Sequence, residues 1–369
     1  MSTDRHFMAR AIQLADRGRY STSPNPRVGC VIVRNGEIVG EGWHQYAGEA
    51  HAEVNALAVA GQAAQGATAY VTLEPCSHTG KTGPCSQALV AAGVARVVSA
   101  MEDPNPQVSG RGHTLLRSAG IEVEVGVMAE QAAALNLGFI KRMRTGLPRV
   151  RCKLAMSLDG RTAMANGESQ WITGSAARAE VHRLRASSCA VMTGIGSVLL
   201  DDSRLDVREL QVDEAFTSSR QAPLRVVMDS RLCTPLAARV IGDDQRCLIL
   251  YSNSDVANAE ELRQCGARVV RILGQSEAVD LESALRYLAE KEQCNEVLLE
   301  AGATLSGAML TAGLVDELHL FVAPVLLGSD ARPMVDMPLQ HMADKWALTI
   351  VDRRQFGDDT RIIAIPQER

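Results

Sequence analysis

The sequence predicts an α/β protein made of two consecutive domains. Three observations carry this. The 369 residues exceed one ordinary domain of about 100–200 residues. Short apolar strands alternate with helical periodicities twice along the chain. Between the two runs, the basic cluster Lys141-Arg142-Met143-Arg144 leads into Gly146-Leu147-Pro148, a boundary signal. The first domain is therefore expected over 1–146 and the second over 147–369. Apolar residues make up 46% and charged residues 22%, which excludes a disordered chain. The net charge is −5, with 13 Lys+Arg against 12 Asp+Glu up to residue 146 and 25 against 31 beyond it. Neither half is a basic nucleic-acid module. No apolar run reaches the roughly 18 residues of a membrane helix.

In the first half, Phe7, Met8, Ala11, Ile12 and Ala15 have helical spacing, closed by Gly18. Val28–Val33 and Glu37–Trp43 flank Asn35-Gly36, a hairpin turn by the positive φ both residues tolerate. A helix is expected over 52–64, a strand over 69–73, a helix over 85–92, a strand over 94–100, part of a helix over 114–119 and a strand over 121–125. Residues 126–147 read as a helical connector whose basic end is a solvated face or a phosphate or partner site. In the second half, strands are expected near 150–156, 189–193, 224–228, 247–251, 268–272, 296–300, 317–325, 346–352 and 361–365. Helices are expected near 175–187, 256–265, 280–291 and 304–312.

Nine cysteines, an odd number, and a charged N-terminus without an apolar stretch point to a reduced, cytoplasmic setting. Cys30 reads as a core residue of a strand. His51-Ala52-Glu53 and Glu74-Pro75-Cys76, with Cys85 nine positions further on, carry the chemistry. One imidazole and two thiolates suit zinc and leave a fourth position for water, whose pKa then falls toward about 7. Glu53 can take the water proton and pass it to a leaving amine. The pattern resembles zinc-dependent nucleobase deaminases, whose signature is His-x-Glu with Pro-Cys-x-x-Cys. Here eight residues separate the cysteines instead of two. His78 inside that loop is the alternative, a fourth ligand closing the site. His44 and His113 stand alone and read as surface or hydrogen-bonded histidines.

The second half lacks a Gly-x-Gly-x-x-Gly fingerprint. Three turns after strands, at Thr193–Asp202, Met228–Arg231 and Ala301–Gly307, fit a nucleotide crevice at the carboxyl edge of an open sheet. Arg161, Arg185, Arg204 and Arg208 are candidates for a substrate phosphate. Trp171 reads equally as core or as a stacking ring.

Taken together, the motifs resemble the bifunctional riboflavin-biosynthesis deaminase/reductase family over nearly the whole chain. They are Pro24-Asn-Pro-Arg-Val-Gly-Cys30, His51-Ala-Glu53, the Pro75-Cys76 to Cys85 loop, Lys153–Thr162, Gly167–Thr173, Leu200–Leu205 and Glu300–Leu305. The resemblance implies a cytidine-deaminase-like α/β/α domain followed by a dihydrofolate-reductase-like α/β domain. It implies zinc-dependent deamination of a diaminopyrimidinone ribotide, then NADPH-dependent reduction of its ribosyl chain to ribityl. It assigns His51, Cys76 and Cys85 to zinc, Glu53 to proton transfer and Asn25 to the deaminase substrate. It assigns NADPH to Ala155, Trp171, Ser197, Asp201, Ser230 and the loop Gly302, Ala303, Thr304, Leu305, Ser306 and Gly307. It assigns the reductase substrate to Ser169, Arg185, Leu205, Arg208 and Glu300, and leaves Lys153 and Asp159 as candidate proton donors. Small-molecule ribotides, not nucleic acid or membrane, are the expected partners, and a homo-oligomer, by preference a dimer, the expected assembly.

Overall fold

The computed structural model describes residues 3–77, 83–106, 108–208, 222–253, 258–274 and 277–367. Two compact units divide between Leu147 and Pro148. No helix among the described residues is long and apolar enough to cross a membrane.

In the first unit, α1 (Thr3–Asp16) precedes the hairpin β1 (Gly29–Arg34) and β2 (Glu37–Trp43). The turn residues Asn35 and Gly36 both have positive φ, as the Asn-Gly pair requires. Then follow α2 (Ala52–Ala60), β3 (Thr68–Val71), α3 (Cys85–Ala91), β4 (Arg96–Ser99), α4 (Arg111–Ser118), β5 (Glu122–Val125), α5 (Ala129–Leu135) and α6 (Leu137–Thr145). The sheet runs β2-β1-β3-β4-β5. Strand β1 is antiparallel to both neighbours, and β3, β4 and β5 are parallel. The helix expected over 52–64 ends at Ala60 because Gly61 takes positive φ, and a 3-10 turn completes it. The connector is two helices, not one.

Helix α2 lies flush on the hairpin. A Cβ at Gly40 would come 2.3 Å from the Ala56 carbonyl, and one at Gly42 2.4 Å from the Ala56 nitrogen. Glycine on the strand and alanine on the helix thus bring the α2 backbone down onto the sheet. Cys30 and Ile32 on β1 join Ala52, Ala56 and Leu89 in this core.

The second unit begins with β6 (Arg149–Ser157), β7 (Arg161–Ala163), α7 (Ser175–Ala186), β8 (Ala190–Gly194), α8 (Ile195–Asp201) and β9 (Leu224–Met228). It continues with β10 (Cys247–Tyr251), α9 (Ala259–Gln264), β11 (Ala267–Arg271), α10 (Leu281–Glu290), β12 (Glu296–Leu299) and α11 (Ala303–Thr311). It ends with β13 (Glu317–Ala323), β14 (Arg332–Pro333), β15 (Leu348–Phe356) and β16 (Asp359–Pro366). The nine-stranded sheet has the order β11-β10-β9-β8-β12-β6-β13-β16-β15. It is parallel from β11 to β13, and β16 and β15 extend it as an antiparallel hairpin. Strands β9, β10 and β12 are buried along their whole length, as the helix-covered centre of a parallel sheet demands. Two features escape the periodicity. Strands β7 and β14 form a short ribbon, and the turn expected at 193–202 is helix α8, with Gly194 as its N-cap.

Candidate active sites

Three side chains from three segments converge in the first unit. His51 is the N-cap of α2, Cys85 opens α3, and Cys76 follows β3 through Pro75. His51 Nδ1 lies 3.6 Å from Cys76 Sγ and 3.3 Å from Cys85 Sγ. All three ligand atoms fall within 4.8 Å of one another. A tetrahedral zinc with Zn–N of about 2.0–2.1 Å and Zn–S of about 2.3 Å would hold such atoms about 3.5–3.8 Å apart. The donor set therefore fits a zinc ion in both chemistry and spacing. His78, the alternative fourth ligand, lies outside the described residues.

Helix N-termini favour negative charge, and two of the three ligands sit on them. The Cys85 backbone N–H donates to Cys76 Sγ at 3.3 Å. The thiol of Cys85 hydrogen-bonds Cys76 and His51 lies beside it, so Cys76 is drawn down to about 4 against its burial. The same bond and burial push Cys85 up. Glu53 stands in the first turn of α2, 3% exposed. Burial, then the nearby Cys76 thiolate, pushes its carboxyl up to about 7. A carboxyl so placed exchanges a proton near neutrality.

The cysteine loop has a support that sequence reasoning missed. The buried Glu74 carboxylate accepts backbone N–H bonds from Asp103, Gly110, Gly112 and His113 at 2.8–3.3 Å. It thereby ties the entrance of α4 to Pro75-Cys76. A Cβ at Gly112 would meet the Pro75 carbonyl at 1.9 Å, so only glycine lets α4 come this close. The hydroxyl of Ser86 donates to the Cys76 carbonyl at 2.9 Å. The Glu-Pro-Cys string was visible in the sequence, but its partners 29–39 residues away were not.

Asn25 Nδ2 lies 3.0 Å from His44 Nε2, and His44 Nδ1 lies 3.1 Å from the Ala50 carbonyl. The His44 ring meets the His51 ring edge-on at 5.2 Å between centroids. The isolated histidines are thus not surface residues: His44 and His113 are both buried.

In the second unit, the candidate residues gather at one edge of the sheet. Strands β9, β8, β12 and β6 are consecutive neighbours, and Ser230, α8, Glu300 with α11, and Ser157 follow their carboxyl ends. Such an edge is where open α/β sheets bind nucleotides. Glu300 is half-buried and paired bidentately with Arg185 at 2.5 and 3.0 Å, with Lys153 Nζ at 3.5 Å. Burial opposes its charge, but Arg185 and then Lys153 outweigh it and hold the carboxyl down at about 2. Arg185 also donates to the Asp206 carbonyl at 2.9 Å, and Arg204 and Arg208 each reach the Asp206 carboxylate at 3.1 Å. Leu205 between them is buried with positive φ.

Ser169 Oγ donates to Asp201 Oδ1 at 2.9 Å, joining the 167–173 loop to α8, which also carries Ser197. Trp171 is 68% exposed, with the Arg178 guanidinium 4.6 Å from its ring. That removes the core reading and leaves the ring free to stack. Ala155 is half-buried on β6, and Ser230 Oγ accepts the Val279 N–H at 3.1 Å. Gly302 caps α11, and Ala303, Thr304 and Leu305 form its first turn. Ser306 and Gly307 turn inward. Ser306 Oγ donates to the Ala301 carbonyl, and a Cβ at Gly307 would strike the Asp336 carbonyl at 2.1 Å. Asp159 does not suit a proton donor: the Ser157 hydroxyl, then the N–H groups of Gly328 and Leu327, hold it down at about 2. Arg161 Nη1 is engaged with the Ala331 carbonyl. Arg178 and Asp359, which hold the Thr173 carbonyl and the Gly174 N–H, carry no sequence signal of their own.

Fold and site together define a class: a hydrolytic deaminase unit of the cytidine-deaminase type, followed in one chain by a reductase unit of the dihydrofolate-reductase type. The zinc-binding region of cytidine and deoxycytidylate deaminases matches residues 1–101, and the RibD C-terminal domain matches residues 148–362. Riboflavin biosynthesis protein RibD of Escherichia coli is 50% identical over 362 residues, 96% of this chain and 97% of that protein. The structure of Acinetobacter baumannii RibD is 48% identical with a TM-score of 0.92, and covers 99% of both chains. A diaminohydroxyphosphoribosylaminopyrimidine deaminase/5-amino-6-(5-phosphoribosylamino)uracil reductase from Thermotoga maritima is 31% identical, TM-score 0.86, again over 99% of both chains. The chain belongs to the RibD family, the bifunctional deaminase–reductases of riboflavin biosynthesis.

Proposed function

We propose that residues 1–146 deaminate 2,5-diamino-6-(5-phosphoribosylamino)pyrimidin-4-one and that residues 147–369 reduce the ribosyl chain of the resulting 5-amino-6-(5-phosphoribosylamino)uracil to ribityl with NADPH. The observation that carries the reading is the convergence of His51, Cys76 and Cys85 beside the buried carboxyl of Glu53. The name of the Thermotoga relative supports the two substrates, and the division between Leu147 and Pro148 supports the boundary.

His51, Cys76 and Cys85 would hold zinc, which when bound makes a water molecule acidic enough to react at neutral pH. Glu53 passes one proton of the attacking water to the ring nitrogen and then the proton of the added hydroxyl to the departing amine nitrogen, so ammonia leaves and a ring carbonyl remains. Asn25 contacts the pyrimidine. In the second unit, Ala155, Trp171, Ser197, Asp201, Ser230 and the α11 entrance from Gly302 to Leu305 hold NADPH, with Ser306 and Gly307 supporting that turn from inside. Ser169, Arg185, Leu205, Arg208 and Glu300 hold the ribotide. Held by these residues, NADPH would supply a hydride to the sugar carbon, and Lys153 gives a proton to the sugar oxygen released. The exposed apolar side chains Leu348, Ile350 and Val351 on the edge strand β15 support a homodimer, and the reduced cysteines support a cytoplasmic setting.

The test is a paired assay on the full chain: zinc content, ammonia release and NADPH consumption with the diaminopyrimidine ribotide. About one zinc per chain, with chelation stopping ammonia release but not NADPH oxidation on the deaminated ribotide, is the expected result. Ammonia release that survives complete removal of zinc would overturn the first half of the reading.

A further inference from the structure

We propose that His44 is a positioning residue that fixes the orientation of the Asn25 amide and so selects a pyrimidine presenting a hydrogen-bond donor at that point. The inference rests on the reading that Asn25 contacts the deaminase substrate. It follows from the direction of two hydrogen bonds. The Ala50 carbonyl can only accept, so His44 Nδ1, 3.1 Å away, carries the proton. The other ring nitrogen, Nε2, is approached at 3.0 Å by Asn25 Nδ2, an NH2 group that can only donate. Nε2 therefore accepts from the Asn25 amide, and the two contacts together define the Nδ1–H tautomer of His44.

Asn25 Oδ1 is therefore left as the group that faces a ligand, and no donor among the described residues bonds it. An acceptor on a neutral side chain pairs with a ring N–H or an exocyclic amine, and opposes a ring carbonyl at the same place. The chain is anchored at its far end as well. Asn55 Nδ2 donates to the Trp43 carbonyl at 2.9 Å and to the Ala50 carbonyl at 3.3 Å. The peptide that fixes the His44 tautomer is the one immediately before the metal-site residue His51. One relay, Asn55 to Ala50 to His44 to Asn25, thus sets base recognition against the metal site.

The experiment is a double-mutant cycle in the full chain with His44→Phe, Asn25→Ala and both together. It reads zinc content, thermal stability and the separate kcat and KM of deamination. Loss of a hydrogen bond in a partly buried site predicts a fall in kcat/KM of about 10- to 100-fold for His44→Phe, chiefly through KM, with zinc retained. The double variant should be no worse than Asn25→Ala alone, because His44 acts through Asn25. His44→Gln, which offers both an acceptor and a donor, should recover much of the loss.

Additive losses in the double variant would overturn the inference, as would a His44→Phe enzyme of unchanged kcat/KM. Loss of zinc in His44→Gln would also overturn it, by showing that the ring supports His51 instead. If Asn25→Ala alone leaves KM unchanged, it is the underlying assignment of Asn25 to substrate that fails. That result is distinct from additivity, which leaves the Asn25 contact standing.

Discussion

Two glutamates with little-exposed side chains, one in each unit, meet opposite fates. At Glu53 burial and the Cys76 thiolate outweigh the opposing pull of His51, and the carboxyl is pushed up to about 7. The Glu300 side chain is only 8% exposed, yet Arg185 and Lys153 hold its carboxyl down at about 2. Burial penalises charge in both places, so the neighbours decide the outcome. The first carboxyl can gain and lose a proton near neutral pH. The second is a fixed charge that holds its cationic neighbours Arg185 and Lys153 in place.

The sharpest way to break this contrast is to remove proton exchange at the first site. Glu53→Gln should retain zinc and lose deamination by about 10²–10⁴-fold, the usual scale for a lost general acid–base. NADPH oxidation on the deaminated ribotide should be unchanged. Ammonia release at the wild-type rate would remove Glu53 from proton transfer and reduce the contrast to one of packing.

The second site offers a stability test. A carboxyl held below its unfolded value stabilises the fold above pH of about 4.5, and the contribution is lost as pH falls toward about 2. The depression corresponds to about 3 kcal/mol at neutral pH. Melting of the second unit, followed between pH 6 and 3, should therefore fall more steeply in the wild-type chain than in Glu300→Gln. The variant should start lower at pH 6, since it leaves half-buried Arg185 and Lys153 without their counter-charge. Parallel curves would show that Glu300 does not titrate as a clamped ion.

The two sites also differed in how much of them could be read from the sequence. The residues proposed for zinc lie in two short strings, His51 and Cys85 at helix starts and Cys76 after a strand, where residue type and spacing point to one chemistry. Most elements followed from periodicity for the same local reason, as with the Asn35-Gly36 hairpin. Glu300, Arg185 and Lys153 are far apart in the chain, and only the sheet order brings them together, so their role came from family resemblance. Helix α8 was read as a turn because its two glycines and short length conceal a helix that Gly194 begins. Glu74 shows in the sequence only as the start of Glu-Pro-Cys, while the amides it holds belong to a loop with no pattern of its own.

That loop gives a smaller effect within the first unit. Gly112→Ala would place a methyl group 1.9 Å from the Pro75 carbonyl, backbone against backbone. Overpacking of this kind costs about 1–3 kcal/mol. The first unit should melt earlier and bind zinc more weakly in a chelator competition, while the second unit keeps its transition. Equal losses in both units would mean that the damage is not local to the cysteine loop.

The smallest expected effect lies in the second unit, at a residue whose role the sequence left open. Trp171 is exposed, so replacing it removes little packing. Arg178 ties the segment together, with its guanidinium over the Trp171 ring and Nη1 on the Thr173 carbonyl at 2.6 Å. Asp359 holds the next N–H, that of Gly174, at 2.7 Å. The loop is thus fixed by its backbone, and the ring is presented without being part of the core. Trp171→Ala should raise KM for NADPH by about 3- to 10-fold, the scale of an aromatic stacking contact, with little change in kcat. The melting temperature and ammonia release should stay at wild-type values. A fall of several degrees in melting with unchanged KM would make Trp171 a structural residue, and the exposed edge of the second unit would lose its stacking surface.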